Sequence, residues 1–355
     1  MAVHSQSKTK SPQGTVAAKP QVIMVATDGT SQSEPAIAFA IAFAKRSTLD
    51  VRVVSIVDHS PMPWGGADRT VIAEYERSLQ KEALEKAKFQ VSSSGAADWP
   101  VEIQTGDPAT RISALATEAN ASLVVVGLGG HGAAARLFGS ETALRLVRVS
   151  QTPVLAVAPK YRDAPRRIMV AMDFSEASIE AARLSLELAD KNATMVLAHV
   201  VPWDRKEYIP EDWFRSHESS VGAELTRVAH WLDDGRKIRI SHRILYGKSA
   251  SSLLAYADEL GADLIVAGSH GRTLLGRALT GQTVSKLIRG ARCSVLVLPA
   301  AAAFKPHGRP RTEDVAAGGK EWAATLDEFS KRNVGRRGRL EVDDADLGAQ
   351  VEMSG

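Results

Sequence analysis

The chain has little of what marks a secreted, membrane-spanning or metal-dependent protein. Among its 355 residues there is one cysteine, Cys293, so no intramolecular disulfide can form and a reducing, cytoplasmic compartment is expected. Cys293 stands just before an apolar segment, where a small residue at the core's edge is expected rather than a nucleophile. No apolar run approaches the ~20 residues of a membrane-crossing helix. Residues 1–20 are polar and lack the apolar centre of a secretory signal. No group of His, Cys, Asp and Glu has the spacing of a metal site, and no GxSxG nucleophile elbow occurs. Charge is nearly balanced: 44 Lys and Arg against 41 Asp and Glu leave a formal net of +3. The visible basic clusters sit in the tails, so neither a nucleic acid nor a membrane is an expected partner.

What the chain does have, it has twice. Ala121-Ser122-Leu123-Val124-Val125-Val126-Gly127 matches the run from Ala262 to Gly268 at an offset of about 141 residues. Gly106-Asp107-Pro108-Ala109 matches Gly247-Lys248-Ser249-Ala250, and the run from Glu141 to Arg148 matches that from Gln282 to Arg289. Further upstream, Ile23 to Asp28 matches Ile168 to Asp173. A period this long duplicates a whole domain rather than a solenoid unit.

Each copy alternates strand and helix. In the first, strands are expected at 22–27, 51–57, 101–104, 123–126 and 153–157, with helices at 34–46, 72–91, 109–119 and 141–149. In the second, strands are expected at 168–172, 194–201, 238–245, 264–267 and 294–298, with helices at 176–190, 222–232, 249–260 and 283–289. Uninterrupted Val, Ile and Leu strands between helices imply an α/β fold whose parallel sheet is covered on both faces. The expected division is a disordered tail at 1–20, domains at 21–160 and 166–299, and a largely disordered polar tail at 300–355. Within that tail Trp322, Leu326 and Phe329 stand at helical spacing.

The most informative stretch runs from Gly268 to Thr283. It follows an apolar strand, Ala262 to Ala267, and leads into a helix. A strand, a glycine-rich loop and a helix start can hold phosphate on backbone N–H groups. The spacing Gly268-x2-Gly271-x9-Gly281 is neither the P-loop nor the dinucleotide pattern. In the first copy Gly127 to Gly132 reads GxGGxG, but it follows the fourth strand rather than the first, which argues against an NAD site. The Gly268–Gly281 spacing, with Asp28 and Asp173 right after the first strands and Gly106 and Gly247 before the third helices, resembles the ATP-binding universal stress protein family. The resemblance covers residues 21–160 and 166–299 and neither tail. It implies two tandem copies of an open five-stranded parallel sheet with helices on both faces, of the adenine nucleotide alpha hydrolase-like kind. It also implies a regulatory protein of the stress response that binds ATP or another adenine nucleotide, with Mg as an accompanying ion, and not an enzyme beyond slow incidental ATP hydrolysis. Family members usually pair through their last strands. Here Val154 to Val157 and Val295 to Leu298 are expected to pair within one chain as a pseudo-dimer, with a homodimer as the further assembly.

The copies differ at the loop. In the second, the implied nucleotide-binding residues are Ala171, Met172, Asp173, Val201, Gly268, Gly271, Arg272, Gly281, Gln282 and Thr283. Gln282 stands where the family has Ser or Thr. In the first, Asp28, Gly127, Gly130, Gly139 and Ser140 form an expected weaker site, and the third glycine aligns in two ways. With a one-residue gap, Gly139-Ser140 takes the family's Gly-Ser place. Without a gap, Glu141 falls at the helix start, where its carboxylate suits the helix dipole and would repel phosphate. The ungapped alignment suits the flanking helix better, so the second copy is expected to hold the nucleotide. His131 and Arg136 stand at the positions of Arg272 and Arg277. His199 is expected as a satisfied core histidine. Two other readings stay open: a nucleotide-free scaffold that recruits an unknown protein through its tails, and a slow ATP hydrolase.

Overall fold

The computed structural model describes residues 22–47, 49–58, 68–129, 135–160, 163–201, 211–233, 235, 237–269, 282–299 and 302, with the side chains of 135–139 and 211–214 excepted. The first repeat is built from β1 (Val22–Ala26), α1 (Glu34–Ala44), β2 (Asp50–Val57), α2 (Arg69–Ser93), β3 (Val101–Thr105), α3 (Pro108–Glu118), β4 (Leu123–Gly127), α4 (Ala135–Val149) and β5 (Val154–Val157). The second has β6 (Arg167–Ala171), α5 (Glu176–Leu188), β7 (Thr194–Val201), α6 (Glu211–Leu232), β8 (Arg239–Tyr246), α7 (Ser249–Leu260), β9 (Leu264–Gly268), α8 (Gln282–Gly290) and β10 (Ser294–Leu298).

All these strands form one sheet in the order β3-β2-β1-β4-β5-β10-β9-β6-β7-β8. Neighbours run parallel except at the centre, where β5 and β10 pair antiparallel with Leu155 opposite Leu296. Central strands such as Val22–Ala26 have no polar alternation because helices cover both their faces. Even-numbered side chains of β1, Met24 and Ala26, join a core with Ile112 and Leu144 of α3 and α4. That core continues across the seam to Val284 and Leu287 of α8. Among the described residues none of α1, α2, α5 or α6 contributes to it; these helices cover the opposite face, where Ile23 and Val25 are fully buried.

The last strands thus meet within one chain, as their apolar faces lead one to expect. The seam is tied further by the Ala158 backbone N–H donating to Ser294 Oγ at 3.1 Å. On the other face Arg46, at the end of α1, donates to the Ala189 and Leu188 carbonyls at 3.1 and 3.2 Å, closing the C-terminal end of α5. The linker is pinned by Asp263, which accepts from the backbone N–H groups of Arg166 and Arg167 at 2.9 and 2.8 Å.

Two helices start well before the positions their sequences suggest, by six residues or more. α4 begins at Ala135 rather than at 141, and α6 at Glu211 rather than at 222.

Candidate functional site

In each repeat the strand order reverses beside the first strand: β1 lies between β2 and β4, and β6 between β7 and β9. Ligands of open α/β sheets bind in the crevice outside the carboxyl ends of strands at such a reversal. The register of β6 on β9 sets Ala171 beside Ala267, which brings Met172 and Asp173 next to Gly268. β1 and β4 align likewise, Val25 beside Val125, and bring Asp28 toward Gly127.

The first glycine of each loop has a packing role. A Cβ on Gly127 would lie 2.2 Å from the Gln32 carbonyl oxygen, and one on Gly268 would lie 2.9 Å from Ala177 Cβ and 3.0 Å from the Ser178 nitrogen. The starts of α1 and α5 therefore sit directly on the ends of β4 and β9. Here the glycine admits a helix rather than an anion.

The two aspartates organise the turns that follow them. Asp173 Oδ1 accepts from the Ser175 backbone N–H at 2.9 Å and from the Ser175 hydroxyl at 2.5 Å. Ser175 in turn caps α5, accepting from the Ser178 N–H at 3.1 Å. Asp28 Oδ1 takes the Thr30 N–H, the Thr30 hydroxyl and the Ser33 hydroxyl at 3.0, 2.7 and 2.9 Å. The first repeat adds a buried amide: Gln90 of α2 donates to the Thr30 carbonyl at 2.6 Å and accepts from the Thr27 hydroxyl at 2.5 Å. This network ties the turn over β1 to α2.

The second repeat holds its turn differently. Phe174 is buried and adopts φ of 61°, and its counterpart Gly29 adopts 72°. The Phe174 ring lies 5.0 Å from that of His199. His199 Nδ1 lies 2.7 Å from the Met172 carbonyl oxygen, so this β7 histidine is a buried, hydrogen-bonded residue under the crevice. Phe174 gave no signal in the sequence beyond its match to a glycine.

Of the remaining expected residues, Val201 closes β7 and Met172 follows β6, both buried. Gln282 is exposed at the first position of α8, with Thr283 half-buried behind it. Gly130, Gly271, Arg272 and Gly281 lie outside the described residues, as do His131 and Arg277. Gly139 and Ser140 require a correction. They stand inside α4, in its second turn, because the helix already begins at Ala135. Its unbonded N–H groups are those of its first turn, so these two residues offer phosphate no helix start.

Glu141 requires another. It does not stand open at a helix start but reaches across the seam, where Arg289 of α8 meets its Oε2 at 3.4 Å. The adjoining Asp107, which caps α3 by accepting from the Thr110 N–H at 3.0 Å, pairs with Arg145 of α4. The Thr110 hydrogen bonds, with Arg145 adding to them, hold this carboxyl below the usual carboxylate range. In the second repeat the same places carry Lys248, which caps α7 with no side-chain bond, and Lys286.

Two features elsewhere are not catalytic candidates. Burial pushes the Cys293 thiol up to about 12, so at neutral pH it is an unreactive thiol. A hollow of about 950 Å³ between α1 and α2, with Ala38, Ile41, Phe89 and Gln90 in its walls, contains none of the expected site residues. Among the described residues no three His, Cys, Asp or Glu converge as a metal site, and no helix is long and apolar enough to cross a membrane.

Comparison with known proteins agrees with this architecture. The family model described as the universal stress protein family matches residues 20–158 and again 165–299. A universal stress protein of Mycolicibacterium smegmatis is 24% identical over 286 residues, covering 78% of this chain and 96% of that protein. One from Mycobacterium tuberculosis strain H37Rv is 25% identical over 289 residues, with the same shares of both chains. The solved structure of a universal stress protein from Archaeoglobus fulgidus matches with a TM-score of 0.57 at 19% identity, covering 79% of this chain and 99% of that one. A putative universal stress protein from Pseudomonas aeruginosa matches at 0.52 and 15%, covering 85% and 97%. The structural likenesses bear on the fold, and the double match of the family model decides the assignment: the chain belongs to the universal stress protein family, as a tandem member with two copies of the domain in one polypeptide.

Proposed function

We propose that this chain binds ATP or another adenine nucleotide as a regulatory ligand, mainly in the second repeat. The adenosine would lie over Ala171, Met172, Asp173 and Val201, and the phosphates along the segment from Gly268 to Thr283, with Arg272 beside them. The observation that carries the choice of repeat is the contrast between two counterpart residues. Glu141 of α4 is a carboxylate, met by Arg289 at 3.4 Å, whereas Gln282 of α8 is an exposed neutral amide. A carboxylate repels phosphate oxygens, and a neutral amide does not.

Asp173 orders the turn around the crevice, and among the described residues no neighbouring group stands ready to activate a water. Turnover is therefore expected to be slow and incidental. Mg²⁺ would travel on the nucleotide's phosphates rather than on a cluster of protein carboxylates. Titration calorimetry of ATP into the full chain tests the reading. About one nucleotide per chain is expected, with binding abolished by Gly281→Val and kept in Gly130→Val. Loss in Gly130→Val with retention in Gly281→Val would assign the site to the first repeat, and an absence of heat at millimolar ATP would reject nucleotide binding.

A further inference from the structure

α1 is apolar on every side. Between Glu34 and Lys45 it runs Pro35-Ala36-Ile37-Ala38-Phe39-Ala40-Ile41-Ala42-Phe43-Ala44, without a polar residue. One face packs on the sheet, and Ile37, Phe39, Ala40 and Phe43 are buried there. The other face forms a wall of the hollow against α2, where Ala38, Ile41 and Ala42 are only half-buried. Phe89 of α2 lines the same hollow and is 74% exposed, more than any other large hydrophobic side chain among the described residues. The fold does not require this surface. At the offset of the first strands, Ala38 and Ala42 correspond to Arg183 and Glu187 of α5, and there Arg183 pairs with Glu180 at 2.7 Å. A helix that is apolar all round is ordinarily covered on both sides, and a contiguous exposed apolar patch marks an interaction surface.

The charges at the two ends of the patch are those of a surface that fits itself. Glu34 and Lys45 both line the hollow. They lie about three turns and about 16 Å apart along α1, so they share a face with Ala38 and Ile41. A two-fold axis crossing α1 midway would set Glu34 against Lys45 of a second α1, and Ala38 against Ile41, each contact being made twice. We propose that this face of the first repeat is an interface between two copies of the chain, with α1 packed antiparallel on its mate. The alanines let the two helix axes come close, toward the short end of the ~8–10 Å range, and Phe89 of each copy finds its cover in the hollow of the other. Opposite charges at both ends fix the antiparallel sense and disfavour the parallel one.

Sedimentation velocity of the full chain across a range of concentrations tests this. The wild type is expected to pass from monomer to dimer between ~1 and ~100 µM. Phe89→Glu is expected to remain monomeric with an unchanged thermal midpoint, since the ring it removes is exposed. Glu34→Lys and Lys45→Glu are each expected to weaken the dimer about tenfold, and the double variant to recover it. Both changes oppose the dipole of α1, so that recovery cannot come from better folding. A wild type that is monomeric at ~100 µM overturns the proposal and leaves the face to a different protein. A dimer that survives Phe89→Glu places the contact elsewhere and overturns it too, and a double variant as weak as the single ones overturns the antiparallel pairing.

Discussion

Phe174 occupies a backbone region that glycine fills in the first repeat, with φ of 61° against 72° at Gly29. A non-glycine residue there costs about 1–3 kcal/mol. The cost is outweighed by packing, since Phe174 is 2% exposed and loss of a buried phenyl ring costs about 3–5 kcal/mol. The two terms can be separated. Phe174→Ala removes the ring and keeps most of the strain, whereas Phe174→Gly removes both. Both variants should be less stable than wild type, but the glycine variant should exceed the alanine variant by about 0.5–1 kcal/mol, although it is the smaller residue. Urea unfolding of the three proteins measures the order, and an alanine variant as stable as the glycine variant or more so would remove the strain argument. The affected turn is also the one that holds Asp173, so its rigidity and the shape of the crevice have one origin.

Most elements were legible in the chain because their apolar residues follow one period. β1, β4, β6 and β9 read as strands from unbroken runs, and the structure has them within a residue or two. The pattern shows α4 and α6 shorter than they are, for different reasons. The start of α4 contains Gly139, which ordinarily weakens a helix interior by about 1 kcal/mol, so the segment resembled a loop. The first half of α6 buries His217, a polar residue that interrupts the apolar period ahead of position 222. At the candidate site the aspartates and first glycines were legible as positions but not in their local roles, which depend on contacts from α1, α2 and α5. The Glu141–Arg289 pair joins residues far apart in sequence, and no local pattern announces it. Asp263 is a similar case. It immediately precedes β9 and binds two N–H groups of β6 and its approach. Asp263→Ala leaves those donors without their carboxylate in a buried place and should cost about 1–3 kcal/mol, seen as an earlier urea midpoint. An unchanged midpoint would mean that water replaces the carboxylate without loss.

For the whole molecule the decisive region is the centre of the sheet. Leu155 is 1% exposed and faces Leu296, its counterpart, at the local two-fold axis of the seam, so Leu155→Lys would bury an ammonium group with no partner beside it. Such a change costs several kcal/mol in a core. The variant should unfold at lower urea and be cut by protease between residues 158 and 165 under conditions that spare the wild type; equal resistance of the two proteins would show that the repeats do not depend on this seam. Because the seam lies inside one polypeptide, the halves meet at an effective concentration set by a short tether rather than by the amount of protein present. Dilution cannot part them, and neither half has to remain a good partner for a copy of itself. Symmetry imposes the same residue on both sides of a dimer of identical chains, and that constraint is lifted here. A glutamate can stand on one side of the axis and a glutamine on the other, each free to change without altering its mate.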